Sequence, residues 1–387
     1  MLPTRATLAT VVTAGMMAAL LYRRVRTRRA RKLCTQGVVF TGTGCSAGTP
    51  LPRCLMNQPT TLGFKCRACK IAARNGPSDP NYRGNVSMLI RFENEEGRLV
   101  NIQIDMGKYF RDSALLRIYP RLGVSEIDAL VLTHDHADAT FGLDDVRMLQ
   151  PFNKVKRVCE RPIVCRADRR TVRALRRSFP YLFSKTEHGL LNSLICSECG
   201  VEQPNGQSST NGIRPTPAGP ATAGGKEVKR FVAAIDWHTF PEDTSCFDVC
   251  GLQMRALPVL HGSDYTSYGF AFGPERARVV YISDYTELLP DTEALLASWR
   301  GEIELMVLDA LMLDEPRPTH ACVRQSIDLV RRYRPRKALL VGMLCEMEHH
   351  ETNRMLRRLL PDEGLDVQLA FDGQYVPLDA LRPRPRS

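Results

Sequence analysis

Short runs of alternating or continuous apolar positions, separated by polar turns, recur along the chain and predict a strand-rich fold. The predicted strands cover residues 37–40, 86–92, 99–104, 128–133, 252–259, 268–272, 279–283, 305–309 and 338–341. Helical spacing predicts helices at about 113–122, 287–299, 321–333 and 351–360, and a strand leading into a surface helix within 164–179. Since groups of strands are followed by helices, the pattern indicates an α/β (α+β) sandwich of sheets covered by helices.

Residues 186–230 interrupt this pattern. They are rich in Gly, Pro, Ser, Thr and Asn, and the stretch 215–225 has almost no large apolar side chain. Such a segment buries too little apolar surface to offset the entropy cost of ordering it. We therefore expect a flexible insertion within a domain that spans residues 33–387.

The positive charge of the chain is concentrated at its N-terminus. Residues 1–32 hold eight basic and no acidic groups, so the other residues carry only +3 of the net charge of +11. An uncharged stretch at 6–22 is followed at once by arginines, which predicts a short membrane anchor with the body of the protein in the cytosol. The mitochondrial outer membrane is the favoured location. A cleaved presequence for the mitochondrial matrix and an endoplasmic reticulum anchor are the alternatives.

The strongest chemical signal is the sequence Thr-His-Asp-His-Ala-Asp, which begins at Thr133 directly after a predicted buried strand. Alternating positions at a strand end face the same side, so His134, His136 and Asp138 can converge on one point. Imidazoles and a carboxylate are the ligands that zinc or a similar divalent ion prefers. The loop therefore predicts a metal site.

This loop resembles the signature of the metallo-β-lactamase superfamily, and the resemblance extends from about residue 37 to 375 without the insertion. The motifs at 40–44, 104–107 and 142–147 are similar to the phosphodiesterase branch, which includes a cyclic-phosphate phosphodiesterase of bacterial phosphonate breakdown and its uncharacterised eukaryotic relatives. The resemblance implies a four-layer αββα sandwich and hydrolysis of a phosphodiester by a metal-activated water. A hydrolase of another ester or thioester, and a non-catalytic membrane-anchored binding protein, remain alternatives.

The resemblance also implies roles for later residues. His261 and Asp284 match the positions that complete the first metal site with His134 and His136, and the ion would be zinc or manganese. Asp138 would orient the water as well as bind metal, and His320 matches a histidine that assists proton transfer. A small phosphodiester is the expected substrate. Nucleic acid remains an alternative, although the near-neutral body offers no obvious electrostatic track for it.

The chain departs from the family pattern at the second metal site. Ala139 and Gly342 stand where the family usually has histidines, which leaves only Asp138 and the bridging Asp284 for a second ion. His349 and His350 follow Gly342 closely in the chain and are candidates to supply the missing ligands.

A second cluster of metal-binding residues is expected at Cys54, Cys66, Cys69 and Cys345. The spacing Cys66-x-x-Cys69 is typical of metal or redox sites. The resemblance implies a structural zinc bound by the first three, with Cys345 replacing a histidine as the fourth ligand. Another Cys-x-x-Cys pair, at 196–199 in the insertion, is weak evidence for a further site with Cys246 and Cys250.

Overall fold

The structure is a computed structural model, and it describes residues 36–56, 66–153, 155, 158–183, 232–275 and 277–378. The predicted N-terminal anchor, the predicted insertion and the Cys-x-x-Cys pair at 196–199 lie outside these residues. Across the described ranges, no helix has the length and apolar character needed to cross a membrane.

Seventeen strands are distributed along the described residues. They are β1 Gly37–Gly42, β2 Ser87–Glu93, β3 Leu99–Ile104, β4 Ala129–Val131, β5 Phe152–Asn153, β6 Val158–Cys159, β7 Ile163–Ala167, β8 Ile235–Thr239, β9 Cys246–Val249, β10 Leu252–Leu260, β11 Thr266–Phe272, β12 Arg278–Ile282, β13 Glu287–Leu288, β14 Ile303–Asp309, β15 Lys337–Val341, β16 Val367–Leu369 and β17 Tyr375–Pro377.

Two large sheets are built from these strands in a similar way. The first has the order β17-β1-β2-β3-β4-β7-β8, and the second has the order β13-β10-β11-β12-β14-β15-β16, with β9 paired to β10. In the first sheet, β1 to β3 are antiparallel, whereas β3, β4, β7 and β8 are parallel. In the second, β9 to β12 are antiparallel, whereas β12, β14, β15 and β16 are parallel. The carboxyl ends of β4, β10, β12 and β14 carry the loops that form the site described below.

Helices connect the strands within the described residues. They are α1 Pro52–Leu55, α2 Ala68–Asn75, the π-helix α3 Arg111–Ile118, α4 Tyr119–Leu122, α5 Ala137–Thr140, α6 Arg169–Ser178, α7 Pro290–Ser298, α8 Val323–Tyr333, α9 His349–Leu356 and α10 Leu359–Glu363, with 3-10 turns at Leu143–Leu149 and Pro180–Leu182.

Three apolar cores show the layering of these elements. The central core contains side chains of both sheets, such as Ile90 of β2 and Phe270 of β11. A second core joins the first sheet to α3 and α6, and a third joins the second sheet to α7, α8 and α9. Helices therefore cover the outer face of each sheet. The predicted α/β sandwich of the metallo-β-lactamase type is confirmed.

The sequence pattern located the interior strands well and missed the edges of the sheets. The strands β8, β13, β16 and β17 were not predicted, and each lies at an edge of a sheet. Edge strands are short and partly exposed, so their apolar signal is weak. The strand predicted at 128–133 ends early, at Val131, because the backbone N–H of Thr133 donates to the carboxylate of Asp105 instead of to a neighbouring strand.

Candidate metal centre and active site

The metal-binding loop predicted from the sequence lies between β4 and α5. His134 follows β4, His136 precedes α5, and Asp138 lies within α5. The end of β3 packs directly against this loop, because a Cβ atom at Gly107 would lie only 1.9 Å from the carbonyl oxygen of Asp138. Glycine is therefore required here for the close approach of the two backbones.

A chain of hydrogen bonds fixes the orientation of His134. The Thr133 hydroxyl donates to the buried carboxylate of Asp105 at 2.8 Å, so it accepts from Nδ1–H of His134, also at 2.8 Å. The other ring nitrogen, Nε2, is buried and has no hydrogen-bond partner among the described residues. Burial lowers the pKa of His134 to about 3, so the ring is neutral. A buried, unprotonated nitrogen held in this way is a suitable metal ligand.

Two further imidazoles face His134. Nitrogens of His134, His136 and His261 all lie within 4.8 Å of one another. His261 donates from Nδ1 to the carbonyl oxygen of Thr319 at 2.6 Å, which leaves its Nε2 at 3.3 Å from Nδ1 of His136. Two nitrogens bound to one tetrahedral zinc at its usual bond length are about 3.3 Å apart. The three histidines thus fit a single divalent ion.

The carboxylate of Asp284 lies on the far side of this cluster. Asp284 follows β12, is 4% exposed, and shares a second group of converging side chains with His261 and His320. Burial alone would raise the pKa of Asp284, but interactions with the neighbouring histidine rings, among them His320 at 3.9 Å, outweigh burial and lower it. The carboxylate is therefore ionised and available to a cation.

Asp138 is less closely engaged than the sequence predicts. It shares neither of the convergent groups that contain His134 or Asp284 among the described residues. Burial is the main cause that raises the pKa of Asp138, and the negative charge of Asp284 is the second. The two carboxylates therefore interact electrostatically. Asp138 therefore lies within electrostatic reach of the cluster without belonging to either convergent group in the described part of the chain.

His320 pairs with the carboxylate of Asp309, which was not predicted as a site residue. Its Nδ1 donates to Asp309 at 2.8 Å and lies 3.9 Å from Asp284. Burial would lower the pKa of His320, but the charge of Asp309 and its hydrogen bond dominate and raise the pKa to about 9. His320 is therefore an imidazolium at neutral pH, with a proton available next to the metal cluster. The available sequence signal was the position of Asp309 as the last residue of an apolar strand.

Tyr265 forms a wall of the site and was also not predicted. Its ring lies 4.8 Å from that of His136, and its hydroxyl donates to Asp135. The guanidinium of Arg170, at the start of α6, lies 3.8 Å above the Tyr265 ring. This stacked pair places a positive charge at the edge of the cluster.

The two histidines considered as further ligands have other contacts. His349 begins α9, where its ring nitrogen Nε2 pairs with the amide of Asn353 and its backbone N–H donates to Asn81. Neither His349 nor His350 belongs to a convergent metal group in the described part of the chain. Of the two alternatives for these histidines, metal ligands or polar residues at a helix start, the structure places both in the first turn of α9.

The four cysteines predicted to bind zinc do come together. Cys54, Cys66, Cys69 and Cys345 are buried, and their sulfurs lie within 4.8 Å of one another. The sulfurs of Cys54 and Cys345 are 3.8 Å apart, too far for a disulfide and close to the ~3.8 Å expected for two thiolates on one tetrahedral zinc. The backbone N–H of Leu51 donates to the sulfur of Cys69, as it would to a metal-bound thiolate. The cluster fits a structural ion that joins α1 and α2 to the loop after β15.

We expect Cys345→Ser to release about one zinc ion per chain and to lower the melting temperature, because metal ligation contributes directly to folding free energy. Cys345→His is the matched control, since an imidazole restores a zinc ligand. Zinc content and thermal unfolding measure both effects. Unchanged zinc in the serine variant, or an equally severe loss in the histidine variant, would reject the zinc assignment.

Known proteins share this architecture. Residues 100–224 and 218–343 match the family described as the beta-lactamase superfamily domain. A structure described as a new diphosphatase from the PhnP family is 24% identical, with a TM-score of 0.58, over 89% of this chain and 98% of that chain. Zn(2+)-bound PqqB from Methylobacterium extorquens is 14% identical, with a TM-score of 0.53, over 88% of this chain and 99% of that chain. At these identities the likeness of the two structures shows the fold.

A curated relative is the octanoyltransferase of Porphyromonas gingivalis, 21% identical over 342 residues. The match covers 88% of this chain and 51% of the relative, so the chain spans about half the length of that protein. The family match, in contrast, covers most of both sheets and all the residues of the histidine and carboxylate cluster. The chain belongs to the beta-lactamase superfamily. It has the fold of the metal-dependent hydrolases in that superfamily and clusters of side chains that could bind metal.

Proposed function

We propose that this protein is a metal-dependent phosphodiesterase. The observation that carries the proposal is the His320–Asp309 pair, which holds a proton beside the three-histidine cluster. A phosphodiester leaves behind an alkoxide, which needs a proton, and an imidazolium at this place can supply it. The similarity to a diphosphatase of the PhnP family supports chemistry at phosphorus.

Each side chain of the site has a defined task in this proposal. His134, His136, His261 and Asp284 would hold the ion, zinc or manganese, which when bound lowers the pKa of a water from 15.7 to about 7 and polarises a phosphoryl oxygen. Asp138 accepts a hydrogen bond from the attacking water and orients it towards phosphorus.

The leaving group of the substrate would receive its proton from His320. His320 donates its proton to the departing oxygen from Nε2, because Nδ1 is engaged by Asp309. Asp309 acts through His320 and is a positioning residue. The positive charge of Arg170 at the edge of the site favours an anionic substrate over a neutral one. A small phosphodiester is the proposed substrate, with nucleic acid as the alternative.

Hydrolysis of a panel of substrates by the purified protein tests the proposal. The panel contains a phosphodiester, a carboxylic ester and an acyl thioester, each with added zinc or manganese. We expect metal-dependent cleavage of the phosphodiester only. Cleavage of the thioester or carboxylic ester alone would favour an acyl hydrolase, and no cleavage of any substrate would favour a binding protein that has lost turnover.

We also propose that residues 1–32 attach the protein to a membrane, most favourably the mitochondrial outer membrane, with the hydrolase domain in the cytosol. The support is the uncharged stretch at 6–22 and its dense basic flank. Deletion of residues 1–32 is expected to move the protein into the soluble fraction with its melting temperature unchanged. A truncated protein that still sediments with membranes would contradict this anchor.

A further inference from the structure

We propose that the active site holds one metal ion, because Asp309 fills the place that a ligand of a second ion would need. The inference rests on the proposed metal centre but does not depend on which ester is hydrolysed. It concerns Asp284, His320 and Asp309, which lie next to the three-histidine cluster, and Gly342, which lies against Asp309.

The donors available for a second ion are few. Among the described residues, the side chains that converge with Asp284 are His261, which already belongs to the three-histidine cluster, and His320. Asp138, His349 and His350 do not share this group within the described residues, and the ring of His349 pairs with Asn353. Carboxylates alone, with water, hold zinc weakly, since zinc sites usually have several imidazole or thiolate ligands.

The place of another ligand is filled by Asp309. Gly342 follows β15 with a φ of +73°, and a Cβ atom there would lie 2.1 Å from Oδ1 of Asp309. Any side chain at residue 342 would therefore collide with this carboxylate. The fully buried carboxylate of Asp309 therefore requires glycine at residue 342. It occupies the volume that a longer ligand side chain would need.

His320 donates from Nδ1 to Asp309 and lies near Asp284 without a hydrogen bond to it. Its Nδ1, 2.8 Å from Asp309, is also the nitrogen 3.9 Å from Asp284. An ion bridging Asp284 and His320 through this nitrogen would have to displace the proton and break the hydrogen bond to Asp309. The nitrogen of His320 that lies nearest Asp284 is thus already engaged by Asp309, where a second ion would need a free ligand atom.

Metal counting and electron paramagnetic resonance on the full-length protein test this inference. We expect about two zinc ions per chain, one at the cysteines and one at the histidines. Manganese prefers oxygen and nitrogen ligands to thiolates, so it should load the histidine site alone and give the signal of an isolated ion. Two ions of a bimetallic site, about 3.5–4 Å apart, would instead show spin coupling.

A set of variants tests the role of Asp309. The triple variant Ala139→His, Asp309→Ala, Gly342→His removes the obstructing carboxylate and adds two ligands, and we expect it to bind one more ion than the natural protein. The matched control, Ala139→His with Gly342→His, retains Asp309 and should gain none.

About three ions in the natural protein, or spin-coupled manganese, would overturn the inference. Loss of that additional ion in His320→Ala would then identify His320 as its ligand. A folded triple variant that gains no ion would also overturn it. If this variant does not fold, the electron paramagnetic resonance signal of the natural protein with manganese distinguishes one ion from two. Zinc at the cysteines alone, with no ion at the histidines, would contradict the metal centre and with it the proposed phosphodiesterase.

Discussion

His134→Ala is expected to remove the active-site ion and to lower phosphodiester hydrolysis by about 10⁴-fold or more. Without a bound ion, the pKa of the attacking water returns from about 7 to 15.7, so hydroxide is scarce at neutral pH. His134 is the sensitive position because its buried Nε2 has no hydrogen-bond partner within the described ranges and its ring is fixed through Thr133 to Asp105. Metal content and kcat/KM for a phosphodiester measure the two effects.

His238→Ala is the matched control for this experiment. His238 lies on the edge strand β8, where it pairs with Asp236 near the surface, and it belongs to none of the metal-binding clusters found among the described residues. This variant should keep both its ion and its activity. Full activity and unchanged metal content in His134→Ala would contradict the assignment of the three-histidine cluster.

His320→Ala is expected to lower kcat by about 10²- to 10⁴-fold without loss of metal, the usual contribution of a general acid. The loss should be largest for a diester with a poor leaving group, because an alkoxide needs a proton more than a nitrophenolate does. A uniform loss for all leaving groups, or a parallel loss of metal, would contradict the role of His320 as a proton donor.

The pH dependence of hydrolysis should reflect the protonation of His320, which is paired with Asp309. The general acid must be protonated, so the rate should be sustained below the pKa of His320, about 9, and fall as the pH rises through it. Asp309→Asn removes the charge that raises the pKa of His320, so the alkaline limb of the profile should move to lower pH. Asp328→Asn, which alters a surface pair with Arg331, is the control and should leave the profile unchanged. An alkaline limb unchanged in Asp309→Asn would contradict the pairing.

The sequence was sufficient to predict the interior strands and the side chains of the metal cluster, because both depend on local pattern. Apolar runs followed by His134, by His261 and by Asp284 place each of these residues at a strand end, and the resemblance to one family relates them to one another. The cysteine cluster could be predicted from the Cys66-x-x-Cys69 spacing together with the resemblance, which matched Cys345 to the fourth ligand of a zinc site.

The contacts between loops could not be read from the sequence. Asp309 meets His320 eleven residues later only because β14 ends beside the loop that carries the histidine. The collision that any side chain at Gly342 would make with Asp309 depends on the parallel pairing of β14 and β15. Likewise, His349 lies close to Gly342 in sequence, but the start of α9 turns its ring towards Asn353.

A titration with Mn²⁺ tests the central claim most directly. The full-length protein is first depleted of its active-site metal under conditions that leave the cysteine-bound zinc in place, and hydrolysis of bis(4-nitrophenyl) phosphate is followed as Mn²⁺ is added. A single catalytic ion held by the histidines and Asp284 predicts that the rate rises in proportion to added metal and becomes constant at about one ion per chain, with the cysteine-bound zinc retained. No hydrolysis at any ratio would contradict the phosphodiesterase, and a rate that keeps rising to about two ions per chain would contradict the one-ion site.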